Sequence, residues 1–216
     1  QGNIVLNLSL NLDEDGKVKN DYKINGLVEN GNIDLLNQGV LEKINFDFNF
    51  KKDDYIFNQI NFRFKNIKFN SDKLKINKKK DIFFINGSVN NNQSSLDNSL
   101  LKLLNLNFKN LNIEDVKFKS KNNFTLEINN KLKVKNIILN SDLDIDQLKY
   151  KRPEIIQSYI SNTNDLILLE DHKLNLNYKK NNLIISGEGK IQLDEEINQI
   201  KYLINKNNED FDIKTE

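Results

Sequence analysis

Residues 44–69 read INFDFNFKKDDYIFNQINFRFKNIKF, and this stretch decides the fold. Apolar residues occupy every second position on both sides of the polar turn Lys52-Asp53-Asp54. A period of two is typical of a β-strand with one apolar and one polar face. The stretch therefore predicts a β-hairpin centred on Asp54 and held in register by cross-strand aromatic pairs. The predicted pairs are Phe48 with Ile60, Phe46 with Phe62 and Ile44 with Phe64.

The same alternation predicts one apolar face on this hairpin. An aromatic side chain buries roughly 150–250 Å². At that rate five phenylalanines of the hairpin present an area on the order of 1,000 Å²: Phe46, Phe48, Phe50, Phe62 and Phe64. Soluble monomers rarely leave an apolar patch above a few hundred Å² uncovered. Either a second layer of protein or an apolar ligand must therefore cover the face. The residues predicted to line it are Ile44, Phe46, Phe48, Phe50, Ile60, Phe62, Phe64, Ile67 and Phe69.

Composition excludes several classes of function. The 216 residues carry 32 basic and 31 acidic side chains, and this balance argues against a nucleic-acid-binding surface. The absence of Cys excludes disulfides and thiolate metal sites. The chain contains no run of about 18 apolar residues, so no transmembrane helix is predicted. Residues 1–12 alternate and do not resemble a signal peptide. Because the chain does not begin with Met, we expect a mature chain or, in preference to that, a piece of a longer protein with any anchor outside this sequence.

Period-two alternation continues along most of the chain and predicts roughly sixteen short strands. A change of phase at Asn66 predicts a β-bulge. Two segments have helical spacing instead: residues 94–104, with Ser94 and Asp97 as a capping box, and a segment that begins at Pro153. The predicted fold is all-β, a long antiparallel meander curled into an open apolar groove, with two short helices. We expect one elongated β-groove module over residues 1–216, with possible sub-blocks 1–93, 105–151 and 165–216 separated by the helices.

Two patterns resemble ligand sites, and each has a simpler structural interpretation. Asp142, Asp144 and Asp146 match the first positions of a calcium loop, but that loop needs Gly and Glu where this chain has Gln147 and Pro153. Their spacing instead predicts the polar face of a strand. The sequence 187–190, Gly-Glu-Gly-Lys, lacks the spacing of a phosphate loop. Glycines within a strand more often mark a bulge or a close approach of the backbone.

Two further basic features are candidate functional residues. His172 is the single histidine of the chain, and without a second ligand or a nucleophile it predicts a solvated residue at the start of a strand. Residues 78–80 are three lysines, which predict a polar turn or a contact with anionic lipid headgroups. The sequence thus contains no catalytic constellation and no metal or cofactor site, and the protein is predicted not to be an enzyme.

The chain resembles the AsmA-like superfamily, which includes the TamB- and YhdP-type proteins of Gram-negative bacteria. The resemblance lies in the alternating strands with Asn/Lys turns of residues 44–69, in DHKLNLNYKKNNLIISGEGKIQL at 171–193, and in the hairpin between Tyr202 and Phe211. It implies a periplasmic protein, attached to the inner membrane through a segment absent here, whose β-groove conducts phospholipid toward the outer membrane. The expected partner is the acyl chains of phospholipid, with no cofactor and no nucleic acid, and the protein partners are left open.

Two functions are therefore expected from the sequence. The first is a phospholipid-binding and transport module that holds acyl chains on the apolar face. The alternative is a structural or adhesive β-sandwich or solenoid whose apolar face is sealed by its own second layer.

Overall fold

The computed structural model describes residues 1–19, 21–35, 39–96, 112–151, 166–193, 195–207 and 210–216. These residues form an antiparallel meander of twelve strands in one sheet, whose spatial order is the order of the sequence. β1 and β12 are its edges, so the sheet is not closed. The prediction of an all-β antiparallel meander is confirmed. The strands are β1 (Asn3–Ser9), β2 (Lys23–Asp34), β3 (Val40–Lys51), β4 (Asp54–Phe64), β5 (Ile67–Lys79), β6 (Ile82–Leu96), β7 (Asn112–Asn129), β8 (Val134–Lys151), β9 (Leu166–Lys179), β10 (Asn182–Leu193), β11 (Glu196–Lys206) and β12 (Phe211–Thr215).

The register of the β3–β4 hairpin differs from the prediction. Lys51 lies opposite Asp54, so the turn consists of the two residues between them and is not centred on Asp54. Phe48 consequently pairs with Phe57 and not with Ile60. The predicted register, including the pairs of Phe46 with Phe62 and of Ile44 with Phe64, was wrong because the turn lies at residues 52–53 and because bulges interrupt both strands.

The alternation is interrupted inside strands at Asn30, Lys43, Gln59 and Asp171, whose φ angles are 54°, 51°, 51° and 51°. The pairing of neighbouring strands shifts beside each of them, as it does at a β-bulge. Because a bulge inserts one residue, the residues that flank it on one face lie three positions apart instead of two. The apolar residues of the sequence change phase at the same places, for example from Phe57 to Ile60.

Asparagine side chains stabilise these bulges. The amide of Asn45 donates to the carbonyl of Lys43 at 2.7 Å, and the amide of Asn61 donates to the carbonyl of Gln59 at 2.9 Å. The backbone N–H of Asn30 donates to Oδ1 of Asn45 at 3.0 Å. These amides satisfy backbone groups that the bulges take out of the regular ladder. Part of the asparagine content of the chain therefore has a structural role.

The predicted bulge at Asn66 is wrong. Phe64 and Ile67 lie directly opposite each other, and Lys65 and Asn66 form a two-residue turn between them, with Lys65 at φ 54°. Residues that flank such a turn share a face, which produces the change of phase seen in the sequence. Several predicted strand pairs are also single long strands, such as β5, β7 and β8. The described residues therefore contain twelve strands instead of the roughly sixteen predicted.

The two predicted helices are not shown. Ser94, Ser95 and Leu96 belong to strand β6, so the predicted capping position of the first helix is extended backbone. The rest of that segment and the segment that begins at Pro153 lie outside the described residues. Among the described residues, every regular element is a strand.

The chain divides into two compact units. The first comprises residues 1–90 and 122–139, and the second comprises residues 91–121 and 140–216. The boundary therefore falls within the long strands β6, β7 and β8. The first unit contains the whole of β2–β5, and the second contains the whole of β9–β12.

Candidate binding face of the sheet

In the first unit, apolar side chains of β3, β4 and β5 share one face of the sheet. Directly opposed residues of an antiparallel pair point to the same side, and Phe62 lies opposite Phe69. Likewise, Phe57 lies opposite both Phe48 and Leu74. We name this surface the apolar face, and it contains all nine residues predicted for the groove. Its members on β3–β5 are Leu41, Ile44, Phe46, Phe48, Phe50, Tyr55, Phe57, Ile60, Phe62, Phe64, Ile67, Phe69, Ser71, Leu74 and Ile76.

Aromatic rings form a continuous cluster at one end of this face. The ring of Phe50 lies 4.8 Å from Phe48, 5.3 Å from Phe57 and 5.4 Å from Tyr55, measured between centroids. Phe46 meets Phe57 edge to face at 5.5 Å. These separations and tilted arrangements are those that aromatic pairs favour. Tyr55 and Phe57 were not predicted for this surface, although their odd-numbered positions before Gln59 carried the signal.

The nine predicted residues differ in their accessibility. Ile44, Phe48 and Ile67 are only 6 %, 8 % and 1 % exposed, so their side chains pack within the sheet. Six others are partly exposed and form the accessible surface of the face. They are Phe46, Phe50, Ile60, Phe62, Phe64 and Phe69.

The described residues contain no second sheet and no helix that could lie over the apolar face. The face also extends to the edge of the sheet. Ile4, Leu6 and Leu8 of β1 lie opposite residues of β2 that belong to the same face, and they are 63 %, 57 % and 53 % exposed. An apolar surface of this extent is typical of a binding site for a protein, a membrane or an apolar ligand.

The burial of Tyr55 is visible in its ionisation. Desolvation by its neighbours raises the pKa of this phenol above its ordinary value, and the nearby Tyr22 and Asp53 raise it further.

In the second unit, two aromatic rings lie on glycines of β10. A Cβ at Gly189 would lie 2.5 Å from Cγ and 2.8 Å from Cα of His172, and a Cβ at Gly187 would lie 2.7 Å from Cε2 of Tyr202. The predicted close approach at these glycines is confirmed. Burial of Tyr202 beneath its neighbours raises the pKa of its phenol.

The prediction that His172 is a solvated residue at the start of a strand is wrong. His172 lies within β9 and is 2 % exposed, and its Nε2 is 3.0 Å from the carbonyl oxygen of Lys190. The bulge at Asp171 shifts the alternation of side chains along β9, and the ring of His172 consequently lies over Gly189. The role of the histidine is therefore packing within the sheet, where its ring fills the space that a glycine leaves.

The three aspartates of β8 lie on the opposite, polar face of the sheet, as predicted. They alternate with Leu143 and Ile145, of which Ile145 is buried. Each carboxylate has a partner of its own: Asn175 for Asp142, Lys119 for Asp144 and Gln93 for Asp146. Among the described residues, no group of three His, Cys, Asp or Glu side chains could hold a metal ion.

Charges of alternating sign form a row across the polar face of β9–β12. Glu188 lies opposite Lys173 on one side and Lys201 on the other, and Lys201 exchanges backbone hydrogen bonds with Glu216. Next to this row, the ammonium of Lys190 lies 2.6 Å from a carboxylate oxygen of Asp171. That hydrogen bond, together with the positive charge, lowers the pKa of Asp171, and it raises the pKa of Lys190.

Within the described ranges, no helix has the length and apolar character required to cross a membrane. Comparison with known proteins gave no match among family models, curated proteins or solved structures.

Proposed function

We propose that the protein binds the acyl chains of phospholipid on the apolar face and serves as a lipid-binding and lipid-conducting module, without catalysing a reaction. The observation that carries this proposal is the phase of the apolar residues. They stay on one face through the bulges at Lys43 and Gln59, and the described residues contain neither a second sheet nor a helix.

The chemistry of the face suits hydrocarbon chains. Its accessible side chains are Phe and Ile, and each methylene group of a lipid gains about 0.8 kcal/mol when it leaves water. These contacts are weak individually and interchangeable along the face, so a chain can shift along it without breaking a specific bond. Conduction of lipid in this way requires no catalytic residue.

The resemblance to the AsmA-like superfamily supports a cellular location for this module. It favours a periplasmic protein that is attached to the inner membrane by a segment outside this sequence and that moves phospholipid toward the outer membrane. The alternative function, a structural or adhesive β-protein, would require the apolar face to be sealed by protein and to exclude lipid.

Extraction of the purified protein followed by mass spectrometry of the extract tests this proposal. We expect co-purified phospholipid, and we expect the delipidated protein to bind a fluorescent phospholipid analogue. Stable, folded protein that carries no lipid and captures none would favour the structural or adhesive alternative.

A matched pair of variants on β4 locates the binding surface. Phe62→Asp places a charge on the apolar face, whereas Arg63→Asp places the same residue one position away on the polar face. Loss of a buried Phe contact costs about 1.5–3 kcal/mol, so we expect capture to weaken roughly ten-fold or more in Phe62→Asp. Arg63→Asp should bind as the wild type does. Circular dichroism verifies that both variants are folded, since Phe62 also stacks on Phe69 at 5.2 Å.

A further inference from the structure

The apolar face is polarised along its strands. On β5 the residues that point to this face run from Ile67 through Leu74 and Ile76, and the next position in phase is Lys78. On β8 the corresponding series runs through Leu139 and Ile137 and then reaches Lys135. On β5 and β8 the apolar series thus ends in lysine at this end of the strand.

Contacts of neighbouring strands place both lysines on this side of the sheet. The ammonium of Lys78 lies 5.7 Å from the ring centroid of Phe83 on β6. On β8, the side-chain amide of Asn136 donates a hydrogen bond to Oε1 of Glu127 at 3.3 Å. Glu127 alternates with the apolar Leu126 and Ile128 and so lies on the polar face. Asn136, as its partner, belongs to the polar face as well. Its neighbour Lys135 therefore belongs to the apolar face.

The strand ends at this side form one continuous border, which we name the lysine rim: residues 51–54, 78–81 and 130–135. Its turns are joined by backbone hydrogen bonds, from Lys78 to the carbonyl of Asp53 at 2.8 Å and from Asn130 to the carbonyl of Asp81 at 3.0 Å. The rim contains eight lysines and three aspartates. It therefore carries a clear excess of positive charge, although the whole chain is almost neutral at +1.

The opposite ends of the same strands have a different character. There the face ends in apolar residues, with Leu41 opposite both Ile33 and Phe64, and Phe64 opposite Ile67. The face thus has one apolar end and one cationic end. This distribution matches an amphiphile that has an apolar tail and an anionic head.

The ammonium groups of Lys78 and Lys135 are available to such a head. Both residues are exposed, and among the described residues neither ammonium forms an ion pair with a carboxylate. Lys119 and Lys190, by contrast, are neutralised by Asp144 and Asp171.

We infer that Lys78 and Lys135 bind the phosphate of a phospholipid headgroup whose acyl chains lie on the apolar face. The inference rests on the proposed function and adds the chemical class of the head and the orientation of the lipid. The eleven steps from Ile67 to Lys78 span about 36 Å at ~3.3 Å per residue. One leaflet of a bilayer is about half of the ~30 Å hydrocarbon core, so a tail that starts at the lysine rim fits within this length.

Paired lipids of equal chain length provide the test. Dihexanoyl phosphatidylglycerol and dihexanoylglycerol, both below their aggregation concentrations, are titrated separately into the full chain by calorimetry. We expect the phospholipid to bind about ten-fold more tightly than the glycerolipid, which lacks phosphate. In Lys78→Gln/Lys135→Gln this preference should fall to about one, with the affinity for the glycerolipid unchanged.

The control is Lys73→Gln/Lys75→Gln, which removes the same charge from the polar face of β5 and should keep the preference. Equal affinity of the wild-type protein for both lipids, or an unchanged preference in the rim variant, would overturn the headgroup site and leave the proposed function intact. A rim variant that loses only sedimentation with phosphatidylglycerol vesicles would also overturn the site, in favour of docking to a bilayer surface. Absence of binding to either lipid would overturn the proposed function, and this inference with it.

Discussion

Substitution of Gly189 by Ala should destabilise the second unit through a steric conflict that can be worked from the structure. The added Cβ would lie 2.5 Å from Cγ and 2.8 Å from Cα of His172. The ring can rotate away, but the Cα cannot move without displacing β9. Displacement of the ring also gives up its contact with the carbonyl of Lys190 at 3.0 Å.

Two contributions set the size of the effect. Overpacking of a well-packed site costs typically about 1–3 kcal/mol, and loss of the hydrogen bond of His172 adds about 0.5–1.5 kcal/mol. We therefore expect Gly189→Ala to lower the free energy of unfolding by about 2–4 kcal/mol. Urea denaturation followed by far-ultraviolet circular dichroism measures this change.

Two further variants separate the steric conflict from a general effect of alanine. Ser186→Ala, at an exposed position of the same strand, should change the free energy of unfolding by less than about 0.5 kcal/mol. In His172→Ala/Gly189→Ala the ring is absent, so the double variant should be less destabilised than the sum of the single variants. A Gly189→Ala protein within about 0.5 kcal/mol of the wild type would refute the packing of the histidine on the glycine.

The remaining predictions concern the charges of the second unit. Glu188→Lys places three cations side by side, because Lys173 and Lys201 flank it. It should lower the free energy of unfolding, measured by urea denaturation, by about 1–2 kcal/mol. Addition of Lys201→Glu should recover part of that loss, whereas simple addition of the two single effects would contradict the row of alternating charges. In Lys190→Gln the pKa of Asp171 should rise toward its ordinary value, as measured by carboxyl NMR titration. Since the folded-state pKa of Asp171 is lowered, the pair stabilises the fold above the unfolded-state pKa, and this stabilisation disappears as the pH falls through the lowered value. In Lys190→Gln the loss of stability on acidification should accordingly be smaller than in the wild type. An Asp171 pKa that does not change in this variant would contradict the ion pair.

The sequence predicts the class of fold and the composition of the apolar face well. Period-two alternation indicates strands directly, and the nine predicted residues share one face. The strand register could not be predicted from the sequence, because a bulge and a two-residue turn produce the same change of phase. Gln59 is a bulge and Asn66 belongs to a turn, yet both separate apolar residues three positions apart.

Features that depend on contacts between distant strands could not be predicted from one sequence. His172 is buried because the bulge at Asp171 turns its ring onto Gly189, and no local pattern specifies that partner. The lysine rim has the same origin. Residues 78–81 and 130–135 are far apart in the chain, and the order of the strands brings them to one border.

The proposed location of acyl chains on the apolar face can be tested directly, because the chain has no Trp. Single Phe62→Trp and Arg63→Trp variants place the same fluorophore on the apolar and the polar face of β4. Phospholipid with brominated acyl chains quenches only a nearby indole. The account predicts strong quenching of the indole at position 62 and little at position 63, whereas equal quenching at both positions, or none at position 62 with lipid bound, would contradict it.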